Sequence, residues 1–147
     1  MRISAKGRYA LAAAISMAEN QRGNEYITVI SLASRLGISK IYLEQVFSLL
    51  KRGGIVISAK GSQGGYHLAR PATQITVFEI LSATEGDLFE SVEETVALKA
   101  PEIDRVMQQT VFAGLDQQIR LALEQCSLHD LVTAVTRQRN EQTMYYI

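Results

Sequence analysis

A mainly α-helical fold carrying one small β-hairpin follows from three observations on this 147-residue chain. Capping residues stand ahead of apolar residues spaced by three and four in several successive segments, and two short β-prone runs flank a glycine-rich loop. Beyond Pro101 one apolar stripe continues for about six turns.

Taken in order, Ser4 caps a first helix whose Ala-rich body, Tyr9 to Glu19, ends near Asn20, and Gly23 turns the chain. Thr28 caps a short second helix whose apolar positions Ile30, Ala33 and Leu36 fit helical spacing, and Gly37 stops it. Ser39 caps the third, Lys40 to Arg52, where Leu43, Val46, Phe47 and Leu50 form a stripe that Gly53-Gly54 ends. Ile55-Val56-Ile57 and Tyr66-His67-Leu68 read as the strands of a hairpin. Thr76-Val77-Phe78-Glu79 is a capping box opening a helix from Val77 to Glu85, stopped at Gly86. Asp87 to Ala100 reads as an acidic loop. Pro101, followed by Glu102 and Asp104, opens a long helix striped by Ile103, Met107, Val111, Leu115, Ile119 and Leu123. A stripe of that length on so small a chain calls for a partner helix. Ser127 and Asp130 cap a last short helix before an apolar end, Met144-Tyr145-Tyr146-Ile147. The expected organisation is one unit over residues 1–86 and a second over 87–147.

An apolar fraction of 47%, 20% charged residues and two prolines describe a chain that buries a core rather than a disordered or fibrous one. A single cysteine excludes an internal disulfide, a CxxC pair and a structural zinc quartet, which suits a reducing cytoplasm. The apolar run Leu11 to Ala18 is too short for a leader with a cleavage pattern, and no stretch is long enough to span a membrane. A soluble cytoplasmic protein without cofactor or metal is expected.

The zero net charge hides a segregation. Residues 1–70 hold ten Lys and Arg against three acids, a net of +7, and residues 71–147 hold five against twelve, a net of −7. Such a chain presents a cationic face to a polyanion, with double-stranded nucleic acid the leading partner; mutual attraction of the two halves is the plainer alternative.

Residues 28–53 fit a helix-turn-helix, with Ala33 allowing close approach and Gly37 making the turn. The outward residues Ser39, Lys40, Tyr42, Glu44 and Gln45 could then enter a major groove, where Gln45 suits adenine, Glu44 accepts from cytosine N4, and Ser39 and Tyr42 hold phosphate or sugar. The alternative is a helical hairpin with a solvated polar face. The glycine-rich loop with Lys60, Ser62 and Gln63 would act as a wing reaching phosphates or a minor groove, or else is an ordinary loop with a solvated lysine. It lacks the strand–helix setting of a nucleotide cradle.

Three segments, Met1-Arg2-Ile3-Ser4-Ala5-Lys6-Gly7-Arg8-Tyr9, Tyr42-Leu43-Glu44-Gln45-Val46-Phe47 and Gly61-Ser62-Gln63-Gly64-Gly65-Tyr66, together resemble the signature segments of the IscR/CymR winged-helix regulators, the Rrf2 family. The resemblance covers nearly the whole chain. It implies a winged helix-turn-helix domain plus a long C-terminal dimerisation helix, with Ile103, Met107, Val111, Leu115 and Ile119 against a twofold mate. It further implies that Arg2, Lys6, Arg8 and Tyr9 grip the DNA backbone while Ser39, Lys40, Tyr42, Glu44 and Gln45 lie in the major groove. Lys60 stands where many relatives carry arginine, keeping the charge without the planar fork.

Some members of the family hold a [2Fe–2S] cluster with three cysteines after the fourth helix. The only thiol here is Cys126, so cluster sensing is not expected, and a packing role for that side chain is the favoured reading. His67 and His129 read as a strand residue and a helix-face residue. The ending resembles the tail of the family's cysteine-metabolism regulators, which implies Tyr145, Tyr146 and Ile147 as a contact for cysteine synthase; packing on its own dimer is the alternative. The expected activity is that of a homodimeric repressor, with an interaction adaptor as the second reading. Catalysis has no constellation to support it.

Overall fold

The computed structural model describes residues 2–23, 25–59, 64–89 and 95–145. Helix α1 (Ala5–Asn20) starts where the Ser4 hydroxyl accepts from the Gly7 N–H, as the cap predicts. Its Ala10, Ala13, Ala14 and Met17 are fully buried, and the small side chains let four other helices approach closely. Helix α2 (Val29–Leu36) is capped by Thr28 and closed by Gly37 at φ 67°, a left-handed conformation that costs a residue with a Cβ. Helix α3 (Lys40–Arg52) begins at Ser39 and buries Leu43, Val46, Phe47 and Leu50 against α1 and α2.

Strands β1 (Val56–Ser58) and β2 (Tyr66–Leu68) pair antiparallel with Ile57 opposite His67. The first strand begins one residue later than the sequence predicts, because the buried Ile55 is still closing α3 through its N–H to the Leu50 carbonyl (2.9 Å). Ile27 adds a bridge on the other side of Tyr66, exchanging two hydrogen bonds of 2.8 Å. Helix α4 (Val77–Glu85) carries the complete capping box of Thr76 and Glu79.

The C-terminal half departs from expectation in three places. Within the acidic segment, Thr95–Lys99 forms a short helix, α5, rather than loop. The long helix is α6 (Pro101–Met107), a π-helical stretch Gln108–Phe112 and α7 (Ala113–Gln125), not one regular α-helix. A strict four-residue step overshoots a 3.6-residue turn by about 40° each time, so the stripe spirals by about 200° between residues 103 and 123. The wider π turn takes back part of that drift. Leu123 accordingly packs beside Val77 and Leu81, while Ile103, Val111 and Leu115 lie exposed. Finally, helix α8 (Leu128–Tyr145) runs almost to the end instead of stopping short. Its first residue, Leu128, is fully buried in the main core, and Arg139 reaches Glu19 of α1 at 2.7 Å. The α7–α8 junction is held by the Val77 N–H to the Cys126 carbonyl (2.9 Å) and the Leu128 N–H to the Ile75 carbonyl (2.8 Å).

Candidate nucleic-acid interface

The cap on α3 fixes one end of the site: the Ser39 hydroxyl accepts from the Tyr42 N–H at 3.2 Å. With one face of α3 sealed into the core, the helical period of about 100° per residue turns Lys40, Ile41, Glu44, Gln45 and Ser48 outward. All five are exposed, as is Ser39. Lys40 and Glu44 form an i,i+4 ion pair of 3.6 Å with both side chains about half exposed, a weak pair that is readily exchanged for other partners. Tyr42 corrects the expectation that it points away from the core. Its half-buried ring packs on the core and meets Tyr9 edge-on, with centroids 5.2 Å apart, so this pair joins α1 to α3.

Arg2, Lys6 and Arg8 are exposed around the start of α1. Lys6 lines a shallow groove together with Ile41, Glu44, Gln45, Ser48 and Leu49, while Arg2 and Arg8 edge a neighbouring depression. The structure therefore brings Lys6 beside the outward face of α3, with Arg2 and Arg8 exposed around the same N-terminal turn. What holds them there was invisible in the sequence. One carboxylate oxygen of Glu85, at the end of α4, accepts from both the Ser4 N–H (2.8 Å) and the Ser4 hydroxyl (2.6 Å). Gly7 makes this approach possible: it is buried, and a Cβ there would collide with that carboxylate and press on Ile3. The partners lie 81 residues apart, beyond any local pattern. Ile41 was likewise passed over because it is apolar, although its offset from the Leu43 stripe already placed it outside.

At the hairpin the stem is described and the tip is not. Lys60, Ser62 and Gln63, the expected wing contacts, lie outside the described residues. The Ala59 N–H to Gly65 carbonyl bond (2.9 Å) continues the stem, and the Phe47 and Tyr66 rings, 4.6 Å apart, set its angle to α3. His67 is a strand residue whose Nδ1 donates to the Leu68 carbonyl (2.8 Å) and whose ring leans on Tyr26.

Away from this face, Ile103, Val106, Val111, Phe112 and Leu115 are exposed along the long helix, and Met107 and Ile119 are half-buried. At the chain's end Tyr145 is 90% exposed; Tyr146 and Ile147 lie outside the described residues. Cys126 is half-buried at the end of α7, where burial, with Asp130 adding to it, pushes its thiol above the ordinary value. Asp130 accepts from the Ser127 N–H (2.9 Å), which holds its carboxyl below the usual range, and the Ser127 hydroxyl accepts in return from the Asp130 N–H (3.0 Å). Burial pulls Glu79 upward, but the Thr76 N–H and the Arg70 guanidinium outweigh it and leave the carboxyl below its ordinary value.

Residues 3–134 match the family model described as "Rrf2: Iron-dependent Transcriptional regulator". The chain is 36% identical over 135 residues to the HTH-type transcriptional regulator IscR of Cereibacter sphaeroides, covering 90% of this chain and 87% of that one. Among solved structures it is similar to the oxidised form of Staphylococcus aureus CymR, with a TM-score of 0.69 and 32% identity over 90% of this chain and 96% of that one. It is also similar to CymR (YrzC), the global cysteine regulator of B. subtilis, with a TM-score of 0.68 and 29% identity over 91% and 98%. These relatives are transcription regulators, not enzymes. The iron dependence in the family description does not fit the donors here. The chain has one thiol, Cys126, and among the described residues no three His, Cys, Asp or Glu side chains converge as a metal site. Among those residues, too, no helix is long and apolar enough to cross a membrane.

Proposed function

The chain belongs to the Rrf2 family of DNA-binding transcription regulators, and we propose that it works as a cytoplasmic homodimeric repressor of cysteine or sulfur genes, independent of an iron–sulfur cluster. One observation carries the DNA-binding geometry: Lys6 of α1 and the exposed Glu44 and Gln45 of α3 line one groove, on the half of the chain that holds the net +7. In this reading Arg2, Lys6, Arg8 and Tyr9 hold the duplex backbone, and Ser39, Lys40, Glu44 and Gln45 lie in the major groove, while Tyr42 joins α3 to α1 through Tyr9. Lys60, Ser62 and Gln63, outside the described residues, are the proposed wing contacts. Residues 1–86 serve as the DNA-binding unit and 87–147 as the dimerising one.

The dimer is supported by the six large apolar side chains left open on the 101–125 helix, Leu121 included, more than a solvated helix carries. The cysteine assignment is supported by the likeness to the global cysteine regulator and by the single thiol. Cysteine synthase is the proposed protein partner, met by the exposed Met144 and Tyr145 with Tyr146 and Ile147.

Genomic binding-site mapping tests the pathway, since the genes beside the bound sites name it. Sedimentation and salt-dependent operator binding test the dimer and the DNA contact; a monomer with equal affinity for operator and random duplex would falsify the proposal. Calorimetry with cysteine synthase, with and without residues 144–147, tests the tail. Unchanged affinity on truncation removes it.

A further inference from the structure

Ile41 is the anomaly of the DNA-facing surface. It is 72% exposed, whereas the other large apolar side chains of α3 are buried or half-buried. Its spacing from Glu44 and Gln45, three and four residues, places it on their face of the helix, and it lines the same groove as Lys6 and Ser48. Lys6, Glu44, Gln45 and Ser48 surround it, and the half-buried Leu49 is its one apolar companion in that groove, too little for a protein-binding patch.

We propose that Ile41 is a specificity residue that reads the 5-methyl group of a thymine in each operator half-site. The assignment rests on the reading that α3 enters the major groove. There the thymine methyl is the one apolar feature on a base edge, and it sets T·A apart from C·G without any hydrogen bond. Glu44 and Gln45 supply polar readout, and Ile41 supplies the contact they cannot. Isoleucine suits the task because β-branching holds χ1 largely in one rotamer on a helix, so its methyl groups are placed before DNA arrives.

Burying one methyl group against another apolar surface changes an equilibrium by about fourfold. The experiment first selects an operator from a random duplex pool with the full chain. Each thymine is then replaced in turn by deoxyuridine, which removes only the methyl, and affinities are measured for the wild type and Ile41→Ala. The expected result is one thymine per half-site where the replacement weakens the wild type about fourfold and leaves Ile41→Ala unaffected, with Ile41→Val keeping most of the effect. Melting curves show that the variants fold, as exposed positions allow. An enriched operator without such a thymine, or one equally sensitive in wild type and Ile41→Ala, overturns this assignment alone. A pool with no enriched sequence overturns the regulator reading and the assignment together.

Discussion

Replacing Glu85 by alanine removes the acceptor that anchors the N-terminus. Both the Ser4 N–H (2.8 Å) and hydroxyl (2.6 Å) lose a charged partner at a partly buried site. Hydrogen bonds to charged groups contribute about 1.5–3 kcal/mol when buried, and water recovers part of that at the chain's edge, so the pair is worth about 2 kcal/mol. For a chain of this size that lowers Tm by roughly 4–8 °C. The larger effect is on DNA. Arg2, Lys6 and Arg8 flank Ser4, and without the anchor, fixing their position costs order that binding must supply. Losing one ordered phosphate contact per protomer reduces the slope of log K against log salt by about 2 per dimer. Circular-dichroism melting and fluorescence anisotropy across a salt series measure the two quantities. Glu85→Gln, which still accepts but carries no charge, falls between wild type and alanine. A lowered Tm with an unchanged salt slope refutes the reasoning, because the latch would then serve folding alone.

Val111→Glu combined with Leu115→Glu places charge on the open face of the long helix; sedimentation should show monomers, and operator affinity should fall at least tenfold. Glu79→Gln should flatten the acid limb of the stability curve. The lowered carboxyl stabilises the fold above its ordinary value of 4.5, and that contribution is lost as pH falls through the lowered value; equal acid sensitivity of variant and wild type in melts below pH 5 contradicts the capping role. Cys126 should react with iodoacetamide more slowly in the native chain than in urea at pH 7.5, because its thiol is raised. The same shift should cost stability as pH climbs past its ordinary value of 9.0.

The N-terminal half was legible because its signals are local. Ser4, Thr28, Ser39 and Thr76 each cap the helix they were expected to cap, and Gly37 adopts the left-handed conformation its position required. The outward set on α3 followed from the same periodicity, apart from Tyr42, whose ring is drawn in by Tyr9 from another helix. The Glu85 anchor and the Arg139–Glu19 pair join residues far apart in sequence, and no periodicity encodes such pairs. The C-terminal helix misled because a four-residue step looks like one face on paper, whereas on a real helix it winds round to the other side. Half of it therefore packs on α4 and half stays open.

That winding gives α4 its place in the fold. One face of α4 presents Phe78, whose ring lies 4.7 Å from the Arg120 guanidinium of α7, and Phe89 beyond its C-terminus holds the same cation at 5.2 Å. At its N-terminus Glu79 binds Arg70 at 3.0 Å, just past the hairpin, and at its C-terminus Glu85 binds Ser4 ahead of the first-helix cations. A single nine-residue helix thus touches the long helix, the segment that follows the hairpin and the N-terminal segment at Ser4. In the proposed dimer the contact of α7 with α4, where Leu123 packs beside Val77 and Leu81, is one place where the angle between two recognition helices is set. Half-sites about one helical turn apart, roughly 34 Å, are the spacing expected of such a dimer.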